Sequence, residues 1–286
     1  MLKKALVIGG NGFFGKDIVR NLLKNGHEVT LLNRGSRQDG FGEDVTRIKC
    51  DRNDHQLLED SLNGKFFDVV FDQICFEYEQ AKKLCELLED KAKKIVFTST
   101  VSVYDYGGNI SEDVFNPSDY HFQKEVGVND DYGEAKRQAE YAFSKFWKGD
   151  LVIIRLPIVL GTYDYTGRLK FHIEKVKKGE SIFFPNINAK MSFVSSAFAG
   201  EVISTVGVGE FTGTLNVADI ESITLKDFIK VIEAETGKEA ILSKSESGDS
   251  SPYGISSDWF INCNKLRSLG FSRNEDWLAQ LVKELS

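Results

Sequence analysis

The sequence predicts an α/β chain built on a doubly wound parallel sheet, and three observations carry that prediction. Short apolar runs alternate with stretches of helical period through residues 1–160. The first apolar run leads straight into a glycine-rich turn that opens a helix. Beyond Gly161 the alternation changes rhythm, as a smaller second domain would make it do.

The elements follow in order. Lys4–Ile8 is a short apolar strand, and Phe14, Ile18, Val19, Leu22 and Leu23 then recur at helical spacing until Gly26 ends the helix. Further strands read at Glu28–Leu32, Arg47–Cys50, Phe67–Phe71, Lys94–Thr98 and Leu151–Leu156. Helices read at Tyr78–Leu88 and about Asp131–Trp147. Apolar strands separated by helices imply a parallel sheet covered on both faces, with right-handed crossovers. Later come a helix at Arg168–Lys177, a strand-to-helix transition within Ser192–Val206, and a helix at Leu225–Glu235. Ser243–Ser251 reads as a mobile polar loop, and a helix from about Glu275 to Leu285 closes the chain.

Composition narrows the function. With 41% hydrophobic and 28% charged residues the 286-residue chain is ordinary soluble-globular material. A net charge of −7 gives no bulk attraction for phosphate backbones, so nucleic acid is a poor partner. The run after Met1-Leu2-Lys3-Lys4 is too short for a signal core, and no later segment reaches membrane-spanning length. Cys50, Cys75, Cys85 and Cys263 form no CxxC pair, so they read as reduced, buried thiols of a cytoplasmic protein. The four histidines lack metal-ligand spacing, and no metal is expected.

The turn Gly9-Gly10-Asn11-Gly12-Phe13-Phe14-Gly15 supplies the chemistry. Gly9 permits a tight turn, Gly12 lets a pyrophosphate approach the backbone, and Gly15 lets the helix pack closely on the strand. The free N–H groups and positive end of the helix dipole would hold the phosphates.

Ile8–Gly15 resembles the TGGxGFIG fingerprint of the extended short-chain dehydrogenase/reductases, the NAD(P)-dependent epimerase/dehydratase group, in a less-characterised bacterial subgroup. Thr98-Ser99-Thr100-Val101-Ser102-Val103-Tyr104 is similar to the family's SS/T-x-x-VY stretch, and Tyr132-Gly133-Glu134-Ala135-Lys136 with Glu140 to YGxSKxxxE. Arg155–Gly161 resembles RLxxVxG, and Leu215-Asn216-Val217-Ala218 the NV strand of the second domain. The resemblance implies a Rossmann-type sheet with a small carboxyl-terminal substrate-binding domain. It implies nucleotide binding by residues 1–160 with parts of 190–217, interleaved with a mainly substrate-binding 161–286. It places Gly9, Gly12, Phe13, Phe14, Gly15, Asp51 (against adenine) and Pro157 at the cofactor, and Thr100 as the hydroxyl that orients the reacting oxygen.

A YxxxK spacing puts both side chains on one helix face, where the ammonium lowers the phenol's pKa so that it can act as acid or base. Four pairs have that spacing: Tyr78/Lys82, Tyr120/Lys124, Tyr132/Lys136 and Tyr141/Lys145. Position favours Tyr132/Lys136, in the first turn of the helix after the fifth strand, and Tyr120/Lys124 stays open because the preceding loop is long for the family. Tyr132 and Lys136 therefore count as both catalytic and cofactor-binding.

The second strand ends in Asn33-Arg34-Gly35-Ser36-Arg37, with no acid to accept from a ribose 2′-hydroxyl. Asn33, Arg34 and Arg37 therefore point to NADP(H) over NAD(H), with Arg34 forking onto a 2′-phosphate. Ser195-Ser196-Ala197 stands where relatives carry an Asp, and Asp72 where many carry HxAA. Asp72 reads as a strand-end cap or a group beside the cofactor, and Arg168 as a substrate-phosphate contact or a solvated side chain. The function expected is hydride transfer at a hydroxyl or carbonyl carbon, ending in epimerisation, dehydration or reduction of a nucleotide sugar. The alternative is a non-catalytic NADP-sensing or RNA-binding protein like the chloroplast stem-loop-binding proteins. Family habit further implies a homodimer through the two helices around Tyr78–Leu88 and Asp131–Trp147, with Leu84, Leu87 and Leu88 as apolar surface to share.

Overall fold

The structure, a computed structural model, describes residues 1–246, 249–272 and 276–286. The first elements are β1 (Lys4–Ile8), α1 (Phe13–Lys24), β2 (Glu28–Asn33), β3 (Val45–Lys49), α2 (His55–Leu62), β4 (Phe67–Asp72), α3 (Tyr78–Leu88) and β5 (Ala92–Thr100). There follow β6 (Gly107–Ile110), α4 (Tyr132–Phe146), β7 (Asp150–Leu156), β8 (Ile158–Leu160), α5 (Arg168–Lys178), β9 (Ser181–Phe183), β10 (Lys190–Ser195) and α6 (Ser196–Val208). The last are β11 (Gly213–Asn216), β12 (Ile220–Thr224), α7 (Leu225–Thr236), β13 (Ile241–Ser243), β14 (Trp259–Ile261), α8 (Asn264–Ser268) and α9 (Trp277–Leu285). They form two compact units. One comprises Met1–Tyr104, Glu112–Leu156 and Ser196–Val217; the other comprises Asp105–Ser111, Pro157–Ser195 and Ala218–Ser286.

The first unit is a seven-stranded, wholly parallel sheet in the order β3-β2-β1-β4-β5-β7-β11. Strand order runs outward from β1 to β3, then resumes on the other side of β1 with β4. That reversal opens a crevice at the carboxyl ends of β1 and β4, where sheets of this kind bind ligands. The central strands are apolar because helices bury both faces. Leu58 and Leu62 of α2, Leu84 and Leu88 of α3, and Ala139, Ala142 and Phe143 of α4 share one core cluster beneath the sheet. On the other face α6 packs on α1 so closely that a β-carbon at Gly200 would lie 2.5 Å from Asp17 Cβ. Lys94 is buried, and its ammonium donates to the carbonyls of Val206, Gly209 and Phe211 at 2.7–3.0 Å, which closes the end of α6.

The second unit holds a sheet in the order β12-β10-β14-β6, with β8 also paired to β10, and a two-stranded β9–β13 ribbon. Its core gathers Ile173, Phe193, Phe228, Ile232, Leu278 and Val282. His172 is fully buried there, stacked 4.6 Å from the Tyr253 ring, with Nε2 2.8 Å from Ser251 Oγ. Burial lowers its pKa to about 4.

Three expectations need correction. Leu215–Ala218 is no strand of a second domain: β11 pairs in parallel with β7 at the edge of the main sheet, Leu215 opposite Ile154. The polar stretch Ser243–Ser251, expected as a mobile loop, is tied down at both of its described ends. Ile241–Ser243 pairs with β9, Phe183 bridges Ser250, and Ser251 is buried against His172; positions 247 and 248 lie outside the described residues. Leu84 and Leu88 are 1% and 0% exposed in their own core, so they are not surface to share, and Leu87 is half-buried. The start expected for the last helix, Glu275, also lies outside the described residues.

Candidate active site

The glycine turn has the geometry its spacing implies. Gly9 leaves β1 at φ +86°, and a β-carbon there would stand 2.6 Å from Ile74 Cγ2. At Gly15 a β-carbon would stand 2.8 Å from the Gly9 carbonyl oxygen, so glycine lets α1 close on the turn. Gly12 is different: among the described residues a β-carbon there would meet, within 4 Å, only Arg37 Nη1, at 3.7 Å. The turn is therefore open at Gly12 and flanked by a guanidinium. Gly12 at the start of α1 makes no side-chain cap and the helix's first turn carries no acid, which leaves its N-terminus suited to an anion. Phe13 begins the helix at φ +39°, a left-handed setting that costs a side-chain-bearing residue about 1–3 kcal/mol. Phe14 packs edge-on to it at 5.6 Å.

At the end of β2, Asn33 Oδ1 accepts from the Gly35 N–H at 2.8 Å and shapes the loop. Arg34 is 73% exposed, its Nη1 4.0 Å from Asp51 Oδ2, so these two expected cofactor residues do meet. The Lys49 stem lies against Gly35 and adds a second cation nearby.

Lys136 is the most constrained of the expected catalytic residues. It is 2% exposed, and its Nζ donates to the carbonyls of Cys75 at 2.8 Å and Thr98 at 2.7 Å. Burial lowers its pKa to about 8, against the pull of Asp72 and Glu140. One turn earlier, Tyr132 opens α4 with 42% of its surface exposed and its ring 6.5 Å from that of Phe76. The same Phe76 ring lies 5.4 Å from Lys136 Nζ. Asp131 caps this helix, accepting from the Glu134 N–H at 2.9 Å. A β-carbon at Gly133 would collide with the Ser102 carbonyl, so glycine lets the helix start press on the turn after β5. That turn begins with Thr100, buried, its Oγ1 accepting from the Ser102 N–H at 3.1 Å.

The rival tyrosines are occupied elsewhere. The Tyr120 hydroxyl donates to the Glu134 carboxylate, and burial together with that bond pushes its pKa up to about 12. A phenol so held keeps its proton. Tyr141 accepts from Lys145 at 2.7 Å, and Tyr78 packs edge-on to Phe122 at 5.2 Å.

Sequence reasoning missed the partners of several polar groups. Asp72 is fully buried and takes Arg52 Nη1 on both oxygens, at 2.7 and 2.8 Å, so it is an ion-pair partner as well as a turn acceptor for Ile74 N–H at 3.1 Å. Gln73, next in sequence, accepts from the Thr98 hydroxyl at 2.7 Å. Arg155 and Glu140, quoted only as motif letters, form a buried pair at 2.6 Å. In the second unit Pro157 is buried, while Arg168 donates to Thr166 Oγ1 at 3.0 Å and lies 5.9 Å from the Tyr253 ring centre. There too a displaced carboxylate answers the missing Asp at 195–197. Asp219 accepts from Ser195 Oγ at 2.6 Å and from its N–H at 3.1 Å, and burial raises its pKa to about 6.

Residues 5–75 match the model of the NAD dependent epimerase/dehydratase family. A chloroplast stem-loop binding protein of 41 kDa from Arabidopsis thaliana is 28% identical over 207 residues, 66% of this chain and 51% of that one. A decarboxylating sterol-4-alpha-carboxylate 3-dehydrogenase from Dictyostelium discoideum is 25% identical over 187 residues, 57% of this chain and 55% of that one. The chain thus spans little more than half the length of these curated relatives. Among solved structures, the Thermus thermophilus UDP-glucose 4-epimerase in complex with NAD superposes with TM-score 0.75 at 18% identity, covering 99% of this chain and 98% of that one. The Bordetella bronchiseptica enzyme WbmG in complex with NAD and UDP gives TM-score 0.77 at 15% identity, covering 100% and 94%. At these identities the structural likeness establishes the fold.

Proposed function

We propose that this chain, whose residues 5–75 match the NAD dependent epimerase/dehydratase model, is an NAD(P)-dependent enzyme acting at a hydroxyl or carbonyl carbon of a nucleotide sugar. One observation carries the reading: a helix that begins with exposed Tyr132 buries Lys136 on the carbonyl of Thr98 in β5 and that of Cys75 just past β4. The uncapped α1 and the open Gly12 fit a dinucleotide pyrophosphate.

In this reading the nicotinamide, when bound, supplies the site that takes up and returns hydride. Tyr132 removes or returns the substrate's hydroxyl proton at its phenol oxygen. Lys136 favours the phenolate by its charge, and Thr100 orients the same substrate oxygen. Arg34 and Arg37, with no acid at the end of β2, support NADP(H) over the NAD bound by the solved neighbours. The Arabidopsis relative is named for stem-loop binding, yet a net charge of −7 and the joint presence of Thr100, Tyr132 and Lys136 support the enzyme. Incubation with NAD+ or NADP+ and a panel of UDP-hexoses should yield a changed sugar or a reduced-cofactor absorbance. Neither signal with any pairing would overturn the proposal.

The proposal includes a homodimer through α3 and α4. It would have to use the half-buried Tyr78, Tyr141 and Phe146, because Leu84 and Leu88 face the protomer's own core. Light scattering that returns a monomer mass at micromolar concentration rejects it.

A further inference from the structure

We infer that Gln73 binds the cofactor, its side-chain NH₂ donating to an oxygen of the segment between the pyrophosphate and the nicotinamide-side ribose. The inference rests on the dinucleotide reading above and deepens it by naming a side chain in the stretch after β4 where this sequence departs from HxAA.

Gln73 is the first residue after β4, at the point where strand order reverses. Its N–H donates to the Ile8 carbonyl at 3.1 Å, and a β-carbon on Gly9 would stand 3.5 Å from its own Cβ. Gln73 therefore stands beside the glycine turn. Its side chain then reaches β5, where the Thr98 hydroxyl donates to Oε1 at 2.7 Å. The carbonyl of that same Thr98 holds Lys136 Nζ at 2.7 Å. A dinucleotide with its pyrophosphate at Gly12 and its nicotinamide near Tyr132 and Lys136 must cross between these two places.

The amide is half satisfied. Among the described residues, Nε2 is buried and has no acceptor. The nearest carboxylate in sequence cannot serve, since Asp72 is taken by Arg52 and the Ile74 N–H. A buried donor without a partner is costly, and native structures keep few of them. Thr98 fixes which way the amide faces, so the free N–H bonds are pre-aimed. A phosphate or ribose oxygen is the acceptor that the crevice would receive.

The test is calorimetric titration of NAD(H), NADP(H), ADP-ribose and ADP into wild type, Gln73→Leu, Gln73→Glu and Thr98→Val, with melting of each ligand-free protein. Gln73→Leu should bind dinucleotides about 10- to 100-fold more weakly, as loss of a hydrogen bond to a charged or polar acceptor requires. Its ligand-free melting temperature should fall no further than loss of the Thr98 bond to Oε1 requires, and Gln73→Glu, which keeps an acceptor there, should melt closer to wild type. Gln73→Glu keeps the acceptor for Thr98 and turns the donor into a carboxylate, so it should weaken binding at least as much. Thr98→Val, which only frees the amide to rotate, should cost roughly threefold. Weakening shared by ADP assigns the acceptor to phosphate; weakening confined to the ligands that carry the second ribose assigns it to that ribose. Undiminished dinucleotide affinity in Gln73→Leu, or in Gln73→Glu should Gln73→Leu not fold, overturns the inference alone. Wild type that binds no dinucleotide overturns it together with the wider reading.

Discussion

Two buried ion pairs stand at the carboxyl side of the same sheet, and they are built differently. Around Arg155, fully buried, every hydrogen-bonding nitrogen has an acceptor. Nε and Nη2 reach Glu140 at 3.0 and 2.6 Å, Nη1 reaches the Tyr104 hydroxyl at 2.7 Å and the Glu112 carbonyl at 3.1 Å, and Nη2 also reaches the Phe115 carbonyl at 2.9 Å. Tyr104 passes the network on to Asn216 at 2.8 Å, and Ser99 closes on Glu140 at 2.5 Å. Around Arg52 and Asp72 the network is unfinished: Arg52 Nε and the neighbouring Gln73 Nε2 are buried without acceptors among the described residues. A closed network fixes a structure, whereas an open one is what a ligand can complete. The first pair holds the loop after β5 and the rotation of α4; the second borders the crevice between β1 and β4.

The largest expected effect tests the closed network. Arg155→Met leaves Glu140 buried and unpaired, which should cost about 3–5 kcal/mol in urea unfolding. Near-wild-type stability in that variant would break the contrast at its scaffold end. At the site end, Tyr132→Phe should lower turnover by about 100-fold with melting temperature and cofactor affinity nearly unchanged. Tyr120→Phe should do far less, and a larger effect there would move the chemistry to the wrong tyrosine.

Lys136 sharpens the contrast through pH. Its folded pKa, about 8, lies below the ordinary lysine value of 10.5, so the unfolded chain holds more protons between those two limits. Wild-type stability should therefore rise, relative to Lys136→Met, as pH climbs from about 8 to 10.5. A flat difference in urea midpoints across that window would show that the burial carries no such penalty. Activity runs the other way, falling as pH rises through about 8 and the charge beside Tyr132 is lost. The smallest effect belongs to the exposed rim: Arg34→Ala should weaken NADP(H) roughly five- to tenfold and leave NAD(H) alone. Equal loss for both cofactors would remove the 2′-phosphate assignment.

What could be read from sequence followed from how locally each feature is encoded. The six strands of the main sheet before residue 160 announced themselves because parallel strands covered on both faces are apolar runs, as in Val69, Val70 and Phe71, whereas β11 was assigned to the wrong domain. The helix α2 went unread: it is eight residues long and buries only Leu58 and Leu62. The three-residue strands of the second unit carry too little period to register. Gly9, Gly12 and Gly15, and Tyr132 with Lys136, are short-range patterns and were legible. Arg52 meets a partner 20 residues away, Gln73 one 25 away, and Asp219 one 24 away. Only the topology brings such pairs together, and no spacing rule could have named them.

The seventh strand of the main sheet has a consequence for how this molecule can be made and altered. β11 and the helix α6 arrive from residues 196–217, after most of the second unit's first half has been synthesised. A chain released at residue 160 would present β7 as a bare edge, with its ladder of N–H and C=O groups open to any neighbouring copy. It would also leave α1 without the helix that Gly200 lets approach it. Neither unit is a cassette. A ribosome that stalls midway, or an engineer who removes the carboxyl-terminal part at a single junction before residue 196, would be handling an incomplete sheet with an adhesive border.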